Sequence, residues 1–320
     1  MKDKILVIGA NGQIGTALAP LLEEIYGEGN VIASDINNPV NYAGGFEHLD
    51  ATKSSDLATI IKKHDITQIY HLAAILSARG EADPVWAWNI NMQTLLNVLE
   101  ASREFKLDKA FIPSSIAVFG PSSGKVLTQQ TASLEPSTVY GVSKVATENW
   151  CSYYHHKYGV DVRSLRYPGV ISHQSMPGGG TTDYAVDIFH KAINGEKYIC
   201  YLKPDTALPM IYIDDALRAT IELMEAPAEN VTVRTSYNLA GLSFTPNELY
   251  QSITSIIPTF EIDYQPDFRQ AIADSWPASI DDAVARKDWE WQPEFDLESM
   301  SRYMLSHLVK NKDTAFQLMK

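Results

Sequence analysis

The run Ile5-Leu6-Val7-Ile8-Gly9-Ala10-Asn11-Gly12-Gln13-Ile14-Gly15 decides the fold. Four apolar residues in a row read as a strand buried on both faces, and the glycines after them sit where a chain must turn sharply into a helix. That helix is marked by Ile14, Leu18, Leu21, Leu22 and Ile25, which form one apolar stripe at offsets of 0, 4, 7, 8 and 11. A glycine-rich turn between strand and helix is the element that holds a dinucleotide. Glycine permits the tight turn, lets the backbone approach a pyrophosphate and lets helix meet strand, while the helix N-terminus offers N–H donors and positive potential. The spacing is GxxGxxG, not GxGxxG.

Beyond this run, short apolar segments alternate with segments of helical period. Strands are expected over 31–33, 46–49, 68–72, 110–112 and 162–167, and helices over 56–63, 84–104 and 140–157. The rhythm is that of βαβ units, so the fold class is α/β with a Rossmann-type, doubly wound parallel sheet. After Pro168 the texture changes. A loop is expected over 177–180, a helix over 183–194 ending at Gly195, a strand over 198–202, and a strand-helix pair over 210–213 and 214–225. The segment 237–240 reads as a strand returning to the first sheet. Thr245-Pro-Asn-Glu248 is a capping-box pattern with proline at the first helical position, which predicts a helix to about residue 257. The expected organisation is a dinucleotide-binding domain over 1–168, with return segments near 210–240, interleaved with a smaller substrate lobe over 169–320.

The chain has 320 residues, of which 45% are hydrophobic and 20% charged, enough apolar matter for a folded core. Lys and Arg number 26 against 39 Asp and Glu, a net charge of −13 that repels nucleic acid and anionic membrane surfaces; neither is expected as a partner. Cys151 and Cys200 stand 49 residues apart, which argues against a disulfide framework and a cysteine zinc site, and fits a reducing, cytoplasmic setting. The histidines show no ligand spacing, so no metal is expected. Met1-Lys2-Asp3-Lys4 leads into an apolar run too short for a signal peptide or a membrane span.

Asp35 ends the second strand 20 residues after Gly15. There a carboxylate accepts hydrogen bonds from adenosine ribose hydroxyls and repels a 2′-phosphate, which favours NAD over NADP. The same residue also suits a cap of the turn that follows. Asp50, after the third strand, fits either an adenine contact or the start of the next helix. Ser114-Ser115 follows the strand over 110–112, and Tyr140-Gly-Val-Ser-Lys144 opens a helix 25 residues later. Tyrosine and lysine at i and i+4 share a helix face, so the ammonium can lower the phenol pKa towards working pH and make it a usable base. A YxxxK alone is a weak signal; with the glycine turn and the serine it is specific.

These elements together resemble the short-chain dehydrogenase/reductase superfamily, and in particular its extended branch, which includes nucleotide-sugar epimerases. Within that branch, Leu165-Arg-Tyr-Pro-Gly-Val-Ile171, Pro177-Gly-Gly-Gly-Thr-Thr-Asp-Tyr-Ala185, Ala74-Ile-Leu-Ser77 and Asp274-Ser-Trp-Pro277 are similar to the short-chain type of NAD-dependent L-threonine 3-dehydrogenases. The resemblance implies Ser115, Tyr140 and Lys144 as catalytic residues. It implies a cofactor site of Gly9, Asn11, Gly12, Gln13, Ile14, Gly15, Asp35, Ile36, Asp50, Leu72, Ala73, Ala74 and Tyr167, together with Tyr140 and Lys144. For the amino-acid substrate, L-threonine, it implies Ser77, Gly179, Gly180, Thr181, Thr182 and Trp276, with Ser115 and Tyr140. Thr182 equally suits the N-cap of the helix that follows, Ser77 an ordinary loop and Trp276 a core position. A homodimer through the two long helices before Ser114 and after Tyr140 is also implied. The alternatives are a nucleotide-sugar epimerase or dehydratase on the same scaffold, and a non-catalytic regulator that senses NAD.

Overall fold

The computed structural model describes residues 3–39, 42–174, 176, 178 and 180–318, with side chains as far as residue 309. In chain order the strands are β1 (Ile5–Ile8), β2 (Val31–Asp35), β3 (Gly45–His48), β4 (Gln68–His71), β5 (Lys109–Phe111), β6 (Ser114–Ser115), β7 (Val162–Arg163), β8 (Leu165–Tyr167), β9 (Gly169–Ile171), β10 (Tyr198–Cys200), β11 (Leu208–Tyr212), β12 (Tyr237–Asn238), β13 (Leu242–Phe244) and β14 (Ile262–Tyr264). The helices are α1 (Gly15–Tyr26), α2 (Ser54–His64), α3 (Ser77–Ala82), α4 (Pro84–Glu104), α5 (Val139–Tyr158), α6 (Tyr184–Asn194), α7 (Ile213–Glu225), α8 (Pro246–Thr254), α9 (Phe268–Ser275), α10 (Ala283–Trp289) and α11 (Leu297–Leu318).

The main sheet is parallel and runs β3-β2-β1-β4-β5-β7. Its centre shows why the opening run had to be apolar throughout. Ile5 and Val7 enter one core, Leu6 and Ile8 enter the other, and all four are buried because helices cover both faces. Each such side chain contributes roughly 1.5–3 kcal/mol on burial. The α1 stripe follows the expected period only in part: Leu18 and Leu22 are buried, whereas Ile25 is 49% exposed, past the sheet.

The segment 162–167, expected as one strand, is two. β7 pairs with β5 in the main sheet, while β8 pairs with β6 and β12 in a separate three-stranded ladder. Pro113 lies between β5 and β6 and has no N–H to donate, so the ladder breaks there and resumes at Ser114 opposite Arg166. The returning segment 237–240 therefore joins β8 and not the six-stranded sheet. β9 carries the chain into a further sheet, β13-β11-β9. The capping box on α8 is present: Thr245 Oγ1 accepts from the Glu248 amide at 3.1 Å, and Glu248 Oε2 accepts from the Thr245 amide at 2.7 Å. The α-helix stops at Thr254, short of 257.

A buried ion pair fixes α5 against this framework. Arg166 donates to both oxygens of Glu148 at 2.9 and 2.8 Å, Ser114 Oγ donates to Glu148 Oε1 at 2.7 Å, and Arg166 also bonds the Asn238 side chain and the Gln130 carbonyl. Every polar group in the cluster is thus partnered, the condition under which buried charge is tolerated.

Candidate active site

The glycine turn leaves β1 with Gly9 at φ +88°, a conformation that other residues rarely adopt. A Cβ on Gly9 would lie 2.6 Å from the Ala73 nitrogen, and one on Gly15 would lie 2.3 Å from the Gly9 oxygen. These two glycines are therefore demanded by packing between turn, helix and β4. Gly12 meets only the Gly9 oxygen, at 3.3 Å, and lines the cleft, where the backbone lies open to a ligand.

The cleft divides in two. One half is lined by Gly9, Gly12, Asp35, Ile36, Asp50, Leu72, Ala73 and Ala74, with Asn37, Arg79 and Trp86 at its edge. The Asp35 carboxylate accepts from the Asn11 amide and from the Asn37 amide, each at 3.1 Å, so it braces the glycine turn as well as capping its own turn. Asn11 does not line the cleft; its side chain donates to the Asn37 carbonyl at 2.8 Å. Asp50 likewise holds its own turn, accepting from the Thr52 amide and hydroxyl, bonds that lower its pKa despite some burial.

The other half brings together Gln13, Ile14, Gly15, Leu72, Ala74, Ser77, Ser115, Tyr140, Lys144, Tyr167, Gly180, Thr181, Thr182 and Trp276. Ser115 and Tyr140 meet because Gly141 lets α5 pack on the 3₁₀ turn after Ser115; a Cβ on Gly141 would lie 2.1 Å from the Ala117 oxygen. Thr138 caps α5 by accepting from the Gly141 amide at 3.0 Å. The Lys144 ammonium donates to the Pro113 carbonyl at 2.7 Å and stands 5.6 Å from the Tyr140 ring centre. Burial lowers the Lys144 pKa to about 8, with Cys151 and Glu148 opposing. Burial pushes the Tyr140 phenol up to about 12, and the Ser115 hydroxyl pulls it back only in part. Burial thus sets the phenol high, and the lowering expected from an i, i+4 lysine does not offset it; the Lys144 ammonium is engaged at the Pro113 carbonyl.

Thr181 is 1% exposed and its Oγ1 has no partner among the described residues; Trp276 is 5% exposed and its indole N–H is likewise unpartnered. Two buried, unpaired polar groups on the wall of one cleft are costly unless a ligand satisfies them. Thr182 does not cap α6. The helix begins at Tyr184, and the Asp183 carboxylate takes the Gly180 amide at 2.8 Å. Ser77 is buried at the start of α3 on the cleft wall. Tyr167 supplies its ring to the cleft while its hydroxyl bonds Thr220 in the core. Gln13 reaches across the cleft to the Val170 carbonyl at 3.0 Å. Gly179 lies outside the described residues.

Several residues were not singled out from the sequence. Leu76, Pro113, Ile116, Pro168, Gly169 and Val170 are cleft wall; Leu76 and 168–170 lie inside stretches that carry the resemblance, while Pro113 and Ile116 only flank Ser114-Ser115. Asn91 has a structural role: its side-chain amide bonds both the N–H and the carbonyl of Ile75, at 2.8 and 3.1 Å, fixing the segment that leads to Ser77. Asn89 is exposed.

Sheet order and glycine turn define a dinucleotide-binding α/β protein, and the shape of the cradle fits such a ligand. Residues 5–240 match the model of the NAD dependent epimerase/dehydratase family, and the chain belongs to that family. It is 47% identical over 309 residues to the mitochondrial L-threonine 3-dehydrogenase of Bos taurus, covering 95% of this chain and 82% of that one. Among solved structures it is similar to the holo form of the GalE-like L-threonine dehydrogenase from Cupriavidus necator, with 56% identity, a TM-score of 0.94 and coverage of 95% and 99% of the two chains. It is also similar to a monomeric L-threonine 3-dehydrogenase from a metagenome, with 46% identity, a TM-score of 0.93 and coverage of 96% and 99%.

Proposed function

We propose that this protein oxidises the 3-hydroxyl of L-threonine with NAD, giving 2-amino-3-oxobutyrate and NADH. The observation that carries the reading is one cleft in which Ser115, Tyr140 and Lys144 share walls with the glycine turn and with the unpartnered Thr181 hydroxyl and Trp276 N–H. The identity to relatives named for this activity supports the substrate. Bound NAD supplies the acceptor for the hydride that leaves the threonine β-carbon.

Gly9, Gly12 and Gly15 form the cradle for its pyrophosphate, and Asp35 and Asp50 flank the adenosine half of the cleft. Tyr140 is the base that takes the hydroxyl proton. Ser115 orients that hydroxyl, and Lys144 keeps a cation beside the phenol, favouring its ionised form. Ser77, Thr181, Thr182, the Gly180 backbone and Trp276 close a small polar socket around the ammonium and carboxylate. Among the described residues, the wall around Gly180, Thr181, Thr182 and Trp276 is built largely of small uncharged groups, which suits an amino acid better than a nucleoside diphosphate. Following NADH absorbance with L-threonine and with UDP-sugars tests the reading. Turnover of threonine alone supports it; turnover of a UDP-sugar, or of neither, overturns it.

We further propose a homodimer. α4 and α5 pack together and leave Val85, Trp86, Trp88, Val142, Trp150 and Tyr153 exposed, a surface richer in aromatics than a monomer needs. Sedimentation at micromolar concentration decides between this and the monomeric state of the metagenomic relative. Among the described residues no helix is long and apolar enough to cross a membrane, and both cysteines are buried and free, in keeping with a reducing compartment.

A further inference from the structure

Trp276 is held in an unusual way. It is the first residue past α9, with extended backbone at φ −90° and ψ 162°, and its own amide donates to the Ala273 carbonyl at 3.1 Å. The carbonyls on either side of this point belong to the last turn of a helix and to the residue after it, where intrahelical donors run out. Both are taken by one side chain from far away in sequence. Lys125 Nζ donates to the Trp276 carbonyl at 2.7 Å and to the Asp274 carbonyl. The backbone around Lys125 is laced to the chain after Trp276. The Lys125 carbonyl accepts from the Ala278 amide at 2.7 Å, and along the same edge the Thr128 amide donates to the Ser279 carbonyl at 3.0 Å and the Leu127 amide to Ser279 Oγ at 2.8 Å. A second tie is neutral: Ser275 Oγ bonds Ser137 Oγ at 2.7 Å, one residue before the Thr138 cap of the helix that carries Tyr140.

We infer that Lys125 is a positioning residue for substrate binding, fixing Trp276 as a wall of the threonine socket through the two carbonyls that bracket it. An ammonium at a helix C-terminus is favoured by the helix dipole as well as by its hydrogen bonds, so the tie is stronger than a neutral donor in the same place. Lys125 lines neither half of the cleft, so it can act on the socket only by way of the segment around Trp276 that it holds. It belongs to the loop that leaves the Ser115 turn, so the wall and the catalytic serine are set by one stretch of chain. Nothing in its local sequence, Ser-Gly-Lys-Val-Leu, announces this.

The inference rests on the threonine reading, and the test separates the two. Kinetics of the unaltered enzyme come first: no oxidation of threonine removes that reading before any variant is compared. Lys125→Met keeps the stem and deletes the donors; Lys125→Arg keeps charge and donors; Lys125→Gln keeps one donor group and no charge. With Met, KM for threonine is expected to rise roughly tenfold, as for other losses of a positioning contact, with kcat within about twofold. The dissociation constant for NADH, read by its fluorescence, is expected to stay unchanged, because Lys125 lines neither half of the cleft. Arg should restore most of the KM, and Gln should fall between. Unchanged KM in Lys125→Met overturns the inference, and so does a joint loss of NADH affinity and melting temperature, which marks a merely structural contact. Should Met fail to fold, the Gln and Arg pair carries the same comparison.

Discussion

The two halves of the cleft are built by opposite means. The cofactor cradle is backbone: its glycines are dictated by close approach of main chain to main chain, and its carboxylates, Asp35 and Asp50, already hold amides of their own turns. The substrate side is built of side chains from five stretches of chain, around Ser77, Ser115, Tyr140, Thr181 and Trp276, and it leaves polar atoms unpaired. The cradle's carboxylates thus have partners before a ligand arrives, whereas the socket carries two buried polar atoms, the Thr181 hydroxyl and the Trp276 N–H, with no partner among the described residues. The first arrangement suits a ligand common to a whole family; the second suits selection of one substrate.

The sharpest break in this comparison comes at its junction. Tyr140→Phe deletes one oxygen and leaves the cradle intact, so turnover is expected to fall by roughly two to four orders of magnitude while NADH affinity holds. The pH profile of the unaltered enzyme should rise as the Tyr140 and Lys144 system loses a proton; burial holds the phenol up at about 12 and the ammonium down at about 8 in the free protein. Normal turnover in Tyr140→Phe removes Tyr140 from the chemistry.

Next in size is the socket's pair of unpartnered atoms. Thr181→Ala removes a buried hydroxyl proposed to bind a charged group, which costs about 1.5–3 kcal/mol, and KM for threonine should rise accordingly. The same change at the half-buried Thr182 should cost less. Equal small effects at both positions would show that the socket is no more side-chain-built than the cradle. Smaller again, Asp35→Ser should narrow the preference for NAD over NADP, measured as the ratio of kcat/KM values, because it removes the charge that repels a 2′-phosphate. It should also loosen the turn at Asn11, visible as weaker NADH binding.

The smallest effect lies beneath the junction. His71 is fully buried, and desolvation with the nearby Lys144 ammonium depresses its pKa to about 3. The unfolded chain takes up a proton below about 6.5 and the folded one does not, so this stability is complete above that pH and is lost as pH falls towards 3. A His71→Gln variant should show a shallower fall in urea midpoint between pH 7 and pH 5. An identical slope would mean that His71 titrates normally.

Much of the cradle is legible because its causes are local. Apolar run, glycine spacing and helical stripe lie within about twenty residues, and each glycine answers to a neighbour a few positions away or to the adjacent strand. The pair Tyr140 and Lys144 is readable for the same reason, four residues being one turn of helix. The pKa order of that pair was not readable, since it depends on how deeply the ring is covered and on which carbonyl the ammonium finds. The break of 162–167 into two strands turns on Pro113, some fifty residues away, which the local pattern of 162–167 does not record.

The sequence by itself therefore determined the class of fold, the glycine turn between strand and helix and the Tyr140 and Lys144 pair of the proposed chemistry, because these follow from short-range sterics and helical or strand period. Only the tertiary structure decided that Thr181 and not Thr182 holds the buried, unpaired hydroxyl, and that the Asp35 carboxylate braces the glycine turn. It also decided that a lysine at position 125 grips the carbonyls beside a tryptophan at 276. These are contacts between chain segments far apart in sequence, and which of them form is set by the packing of the whole sheet and its helices.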